Sequence, residues 1–293
     1  MSVTSTPSTM RWAEISVEAG PDATDAVGNC FNEVGCGGFV VQDTKVPPTV
    51  VGYLPVDDRI EDRLLTLTTS LEALAGFGVE NAGTEITIKY VQEDDWANAW
   101  KAYFKPIPIG RRLVVTPPWE EPDLSTGRMP IVVDPGMAFG TGSHPTTQLC
   151  LAALEDYVTP GITVADIGTG SGILAIAASK LGAGSVVAND IDTLAVKIAA
   201  ENAEVNGVSI EFGVDLPGGQ YDLVVANILA DVIIGLREEI AERVKPEGVF
   251  IASGIIDTRE TDVRIAVETE GFSPLETRRQ GDWVALVFRR SAV

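Results

Sequence analysis

Val164-Ala165-Asp166-Ile167-Gly168-Thr169-Gly170-Ser171-Gly172-Ile173 is the stretch on which the fold turns. An apolar run of strand character enters three alternate glycines, and Leu174 to Leu181 continues as a small, apolar segment of helical character. Glycine lets the backbone approach a ligand closely, and the helix that follows presents unpaired N–H groups at its positive end. Many nucleotide folds share such a loop, so its details must choose among them. Ile173 stands where the dinucleotide fingerprint G-x-G-x-x-G needs its third glycine, which argues against a nicotinamide cofactor. No Gly-Lys-Ser/Thr follows, so the loop is not a P-loop. Asp166 places a carboxylate at the strand end, where a cationic amino-acid group would lie and a pyrophosphate would be repelled.

Downstream, Ser185 to Asn189 reads as the next strand and ends in Asp190 and Asp192. Asp190 lies about 20 residues past Gly168, the spacing of a carboxylate that accepts ribose hydroxyls, whereas Asp192 suits the N-cap of a helix from Thr193 to Asn206. A third strand is read near Ser209 to Phe212, and Tyr221 to Ala226 forms a buried strand that delivers Asn227-Ile228-Leu229-Ala230 at its carboxyl end. Open parallel sheets bind ligands at that edge. The Asn227 amide there either orients an incoming amine or braces a turn.

Upstream lies Asp134-Pro135-Gly136-Met137-Ala138-Phe139-Gly140-Thr141-Gly142-Ser143-His144-Pro145-Thr146-Thr147, a loop rich in glycine and hydroxyl groups that enters a helix at Ser143 to Thr147. His144 is the only histidine. With no second His or Cys nearby it belongs to no metal cluster, and it reads as a loop brace more readily than as a general base. Strands at Leu113 to Thr116 and Ile131 to Val133 come before this loop, and helices alternate with strands after Thr146, the pattern of a parallel sheet covered on both faces.

The first third of the chain follows a different order. Arg11 to Val17 alternates, Asp22 to Val34 is amphipathic, and Phe39 to Gln42 and Val50 to Pro55 read as hairpin arms. Asp57 to Gly76 then sets Ile60, Leu64, Leu67, Leu71 and Leu74 on one helical face, and Glu85 to Val91 alternates again. The resulting β-α-β-β-α-β order predicts a small ferredoxin-like domain. The acidic and aromatic segment from Gln92 to Lys105, with Trp96, Trp100 and Tyr103, reads as a linker helix or a ligand surface, and Pro106 to Pro108 ends any helix.

Composition narrows the partners. Asp and Glu number 42 against 21 Lys and Arg, a formal net charge of −21, so a phosphate backbone would be repelled and a basic partner favoured. The same acidity would also serve solubility alone. Cys30, Cys36 and Cys150 show no metal-binding or disulfide spacing and read as buried thiols. No run reaches the ~20 apolar residues of a membrane span, and the Ser/Thr/Pro-rich start has no basic leader, so the expected location is the cytoplasm.

Together, the Asp134–Thr147 loop, Asp166–Gly172 and Asn227–Ala230 resemble the ribosomal protein L-eleven methyltransferase family. The resemblance implies an α/β protein. Its Rossmann-like class I methyltransferase domain would span residues 109–293, behind a small ferredoxin-like substrate-recognition domain in 1–92 and a linker in 93–108. It implies S-adenosylmethionine as cofactor, contacted by Thr147, Gly168, Gly170, Asp190 and Asn227, with Phe139 and Asp166 in support. It implies N-methylation of lysines and the α-amino terminus of a basic ribosomal protein, to the trimethyl state. The expected enzyme is a monomer that uses no metal, no dedicated base, no direct nucleic-acid contact and no membrane. Rival readings are methylation of another basic protein, a nicotinamide oxidoreductase and a silent binding module. A nucleic-acid amine methyltransferase is disfavoured, because that class carries Asn/Asp-Pro-Pro-aromatic where this chain has Asn227-Ile228-Leu229-Ala230.

Overall fold

The structure, a computed structural model, describes residues 11–20, 23–36, 39–42, 47–57, 59–74, 79, 83–92, 104–135 and 142–292. The chain divides into two compact units, Met1–Phe104 and Lys105–Val293. That cut falls inside the segment read as a linker, and Trp96, Trp100 and Tyr103 lie outside the described residues.

In the first unit, β1 (Arg11–Glu18), α1 (Thr24–Glu33), β2 (Phe39–Gln42), β3 (Thr49–Pro55), α2 (Ile60–Leu74) and β4 (Ile86–Gln92) follow the expected order. The sheet runs β2-β3-β1-β4 and every pair is antiparallel, the arrangement of a ferredoxin-like split βαβ. Alternation along β1 sends Ala13, Ile15 and Val17 into one core, where Phe31 of α1 and Leu67 and Leu71 of α2 meet them. The alternation of β4 buries less than its pattern suggests: Ile88 and Tyr90 remain exposed, because among the described residues β4 is an edge strand paired with β1 alone.

The second unit opens with a small sheet of β5 (Ile107–Ile109), β6 (Leu113–Thr116) and β7 (Met129–Val132). The sequence reading of Pro106 to Pro108 as a break misses β5. Pro108 is accommodated because, among the described residues, β5 pairs with β6 alone, and an edge strand tolerates a residue without an N–H. After α3 (Pro145–Tyr157) come β8 (Thr163–Ile167), α4 (Ile173–Leu181), β9 (Ser185–Asn189), α5 (Thr193–Val205), β10 (Glu211–Gly213) and β11 (Tyr221–Asn227). Then follow α6 (Ala230–Gly235), α7 (Arg237–Arg243), β12 (Val244–Ile256), α8 (Glu260–Thr269), β13 (Phe272–Gln280) and β14 (Trp283–Arg290).

These strands form one seven-stranded sheet in the order β10-β9-β8-β11-β12-β14-β13. Pairing is parallel from β10 to β12, and β14 enters antiparallel to both β12 and β13. Both faces are covered. Val164, Val186 and Leu223 pack under α3 and α4 on one face, while Ala165, Ile167 and Val224 pack under α6, α7 and α8 on the other. Double burial explains why Leu223 to Ala226 is an unbroken apolar run with no alternation. The strand order reverses between β8 and β11, and open α/β sheets bind ligands at such a switch point, outside the carboxyl ends of the strands.

One buried carboxylate joins the small sheet to this domain. Glu155 of α3 is 7% exposed and accepts three backbone N–H groups of the β5–β6 turn, from Arg111 (2.8 Å), Arg112 (2.8 Å) and Leu113 (3.1 Å). Glu155→Gln keeps the shape but turns an NH2 group toward these donors. Thermal and denaturant unfolding should show a loss of about 2 kcal/mol, and a change below about 0.5 kcal/mol would mean that the turn holds without the carboxylate.

Candidate cofactor site

The loop after β8 folds as it does because glycine occupies its left-handed positions. Gly168 has φ +73°, and a Cβ there would lie 2.3 Å from Ile228 Cγ2. Gly172 has φ +81°, and a Cβ there would press on Ala199 of α5 at 3.0 Å. The loop can therefore pass between the end of β11 and the wall of α5 only with no side chain at either position. Both Gly168 and Thr169 donate their N–H groups to the Asn189 carbonyl oxygen at the end of β9, each at 2.9 Å.

Two aspartates hold this loop from opposite sides. Asp166 is fully buried; its Oδ2 accepts from Thr169 Oγ1 (2.6 Å) and from the Ala175 N–H (3.1 Å) in the first turn of α4. Burial pushes the Asp166 carboxyl from the usual 3.8 up to about 7. The two donors oppose that rise, and the charge of Asp190 adds to it. Asp190 accepts the Gly170 N–H (2.9 Å) on one oxygen and the Asp192 N–H (3.0 Å) on the other. Each carboxylate oxygen has a second lone pair, so Asp190 retains acceptor capacity toward a ligand. Asp192 caps α5 through the Leu194 N–H at 2.8 Å.

Thr147 and Asn227, 80 residues apart, meet across the site: Asn227 Nδ2 donates to Thr147 Oγ1 at 3.3 Å. His144 caps α3, with Nδ1 2.7 Å from Thr146 Oγ1 and its ring edge-on to Trp283 at 4.8 Å between centroids. The lone histidine thus braces the helix that presents Thr147. Phe139 falls outside the described residues.

Three side-chain oxygens at adjacent strand ends are buried without a hydrogen-bond donor: Asp166 Oδ1 on β8, Asn189 Oδ1 on β9 and Asn227 Oδ1 on β11. Leaving buried acceptors unmatched is costly, and strand register puts Asp166 and Asn227 on one face of the sheet with Asn189 on the other, so the Asp166–Asn227 pair marks a place suited to donors or positive charge. Sequence reading did not single out Asn189 or Thr169. Their signal was present, since each is a polar residue beside the glycines and carboxylates of the motif. Burial pushes the Cys36 and Cys150 thiols up to about 12, so neither offers a nucleophile. Among the described residues no group of His, Cys, Asp or Glu is placed to hold a metal ion, and no helix is long and apolar enough to cross a membrane.

A parallel sheet with one antiparallel strand inserted beside its edge, a G-x-G-x-G loop at the switch point and an acid at the end of each of the first two strands define a class I, S-adenosylmethionine-dependent methyltransferase. A family model described as ribosomal protein L11 methyltransferase (PrmA) matches residues 11–291. A ribosomal protein L11 methyltransferase of Pelotomaculum thermopropionicum is 44% identical over 312 residues, spanning 97% of this chain and 100% of the relative. One from Symbiobacterium thermophilum is also 44% identical, over 95% of this chain and 99% of the relative. A crystal structure of a ribosomal protein L11 methylase from Lactobacillus delbrueckii subsp. bulgaricus superposes with TM-score 0.60 at 37% identity, covering 64% of this chain and 100% of that one. The chain belongs to the ribosomal protein L11 methyltransferase family and is a protein methyltransferase.

The raised Asp166 sets a pH dependence. In the unfolded chain the carboxyl ionises near 3.8, while in the folded protein it keeps its proton to about 7. The unfolded state therefore binds fewer protons across that window, and Asp166 erodes stability as pH rises through it, by on the order of 4 kcal/mol in all. Asp166→Asn should leave stability near the parent's at pH about 4 and exceed it increasingly toward pH about 7. Denaturant unfolding at stepped pH checks this, and a difference that stays flat with pH would show that the carboxyl is ionised throughout.

Proposed function

We propose that this enzyme methylates the lysine side chains and the N-terminal α-amine of ribosomal protein L11, to the trimethyl state, with S-adenosylmethionine as methyl donor. The observation that carries the reading is the pair of unmatched acceptors, Asp166 Oδ1 and Asn227 Oδ1, on one sheet face at the ends of β8 and β11. Its chemistry suits a ligand with an ammonium, a sulfonium and donor groups, so the residues present fit the cofactor. Gly168 and Gly170 bring backbone against it, Asp190 accepts from its ribose hydroxyls, Asp166 and Asn227 meet its cationic end, Thr147 contacts it and Phe139 plays a supporting part.

When bound, S-adenosylmethionine supplies a methyl group already activated on a sulfonium leaving group. What remains for the protein is to align a neutral amine in a dry pocket, and such alignment contributes roughly 7–11 kcal/mol. Asn227 is held at the end of β11 by its bond to Thr147, which leaves Oδ1 free to orient an amine N–H. The target amine gives up its proton to water before alignment, with no dedicated base.

Residues 1–92 recognise the protein substrate, 93–108 link, and 109–293 bind the cofactor. A formal net charge of −21 suits a basic substrate and disfavours direct nucleic-acid contact. The enzyme acts as a monomer in the cytoplasm.

Calorimetry with S-adenosylmethionine and with NAD⁺, followed by methyl transfer to purified L11, tests the reading. Binding of the first alone, with transfer, is the expected result. Binding without transfer would overturn the substrate, and NAD⁺ binding would overturn the class. Asn227→Ala should lower kcat on the order of 100-fold while the cofactor still binds. Weak cofactor binding with an unchanged rate at saturation would remove the positioning role from Asn227.

A further inference from the structure

Beside the strand end that carries Asn227, three large apolar side chains face water: Leu229, Val232 and Ile256 are 71%, 43% and 40% exposed. Hydrogen bonds tie the segments that carry them into one ridge of the surface. The Ile228 N–H donates to the Ser253 carbonyl at 3.1 Å, tying the turn after β11 to β12. Arg259 Nη2 reaches Asp231 at 2.6 Å, which joins α6 to the segment after β12, and the Asp257 N–H donates to the Asp282 carbonyl at 2.8 Å, which adds the β13–β14 turn.

The fold does not require these side chains. Ala230, Ile233 and Ile255 fill the core from the same elements, leaving their three neighbours outside. Single exposed apolar residues are ordinary, but three on a ridge next to a binding site call for an occupant. The charges say what kind. Asp231 shares Arg259, whereas Asp257 and Asp282 are exposed and make no ion pair among the described residues, so the ridge is apolar with a negative margin.

We infer that this ridge is the docking surface of the C-terminal unit for the lysine-bearing segment of the protein substrate, seating the residues that flank the target amine. Charge complementarity selects a cationic segment, and continuity with Asn227 places it at the methyl-transfer site. The inference rests on the amine-methylation reading above. Apolar contact on Leu229, Val232 and Ile256 supplies affinity. The aspartates steer the approach, as rim charges change association rate and salt dependence more than they change tight contacts.

The test uses the full chain carrying Val232→Ser or the pair Asp257→Lys and Asp282→Lys, with L11 as substrate. Each variant should raise KM for L11 about tenfold while leaving kcat, the calorimetric affinity for S-adenosylmethionine and the melting temperature unchanged. KM of the parent enzyme should rise with ionic strength, and the rise should be clearly shallower in the paired aspartate variant. Parental KM in both variants would overturn the inference. So would a dimer in the parent that Val232→Ser dissociates, because the ridge would then cover a second copy of the chain. Failure of the functional reading is visible separately, as no transfer to L11 by the parent enzyme, and overturns both.

Discussion

The Asn189 carbonyl oxygen accepts two successive backbone N–H groups, from Gly168 and Thr169, and the rest of the site depends on that clamp. It pins the loop after β8 to the end of the neighbouring strand and turns it sharply over the sheet edge. Positive φ at Gly168 makes the turn possible, and the absence of a side chain there admits Ile228 from the turn after β11. Three strands thus converge on one loop, and each delivers a polar side chain to the same edge. The parallel sheet is the source of this convergence, because every strand from β10 to β12 ends on the same side.

Asp166 and Asp190 show how two like residues in one motif acquire different characters. Asp166 is sealed under the loop with donors on one oxygen only, and burial keeps its carboxyl protonated far above its usual range. Asp190 stands at the next strand end, half in water, with a backbone N–H on each oxygen. The first is a buried group that a positive neighbour would ionise, and the second keeps a lone pair on each oxygen beyond its backbone partner. Close by in the chain, Leu229, Val232 and Ile256 stay exposed, as do Asp257 and Asp282.

Much of this was legible in the chain because its signals are local. A strand that runs into alternating glycines, an acid about 20 residues on and an asparagine closing an apolar run each depend on neighbours a few residues away. The β-α-β-β-α-β order of the first unit was legible for the same reason, as helical and strand periods differ. Short or marginal features were not. β5 has three residues and contains Pro108, which reads as a break until its edge position is known. The exposure of Ile88 and Tyr90 depends on β4 having one neighbour among the described residues, and no periodicity records that.

By itself, the sequence determined the class of fold, the glycine loop, the acids flanking it and the likeness to a methyltransferase family, since backbone preference and residue spacing are written along the chain. Only the tertiary structure decided which distant residues meet: Thr147 with Asn227 across 80 positions, Glu155 with the turn before β6, and the insertion of β14 between β12 and β13. It also decided which acid keeps its proton and which apolar residues stay in water. The reason is physical: hydrogen-bond satisfaction and desolvation depend on what surrounds an atom in three dimensions, and most of that surrounding comes from elsewhere in the chain.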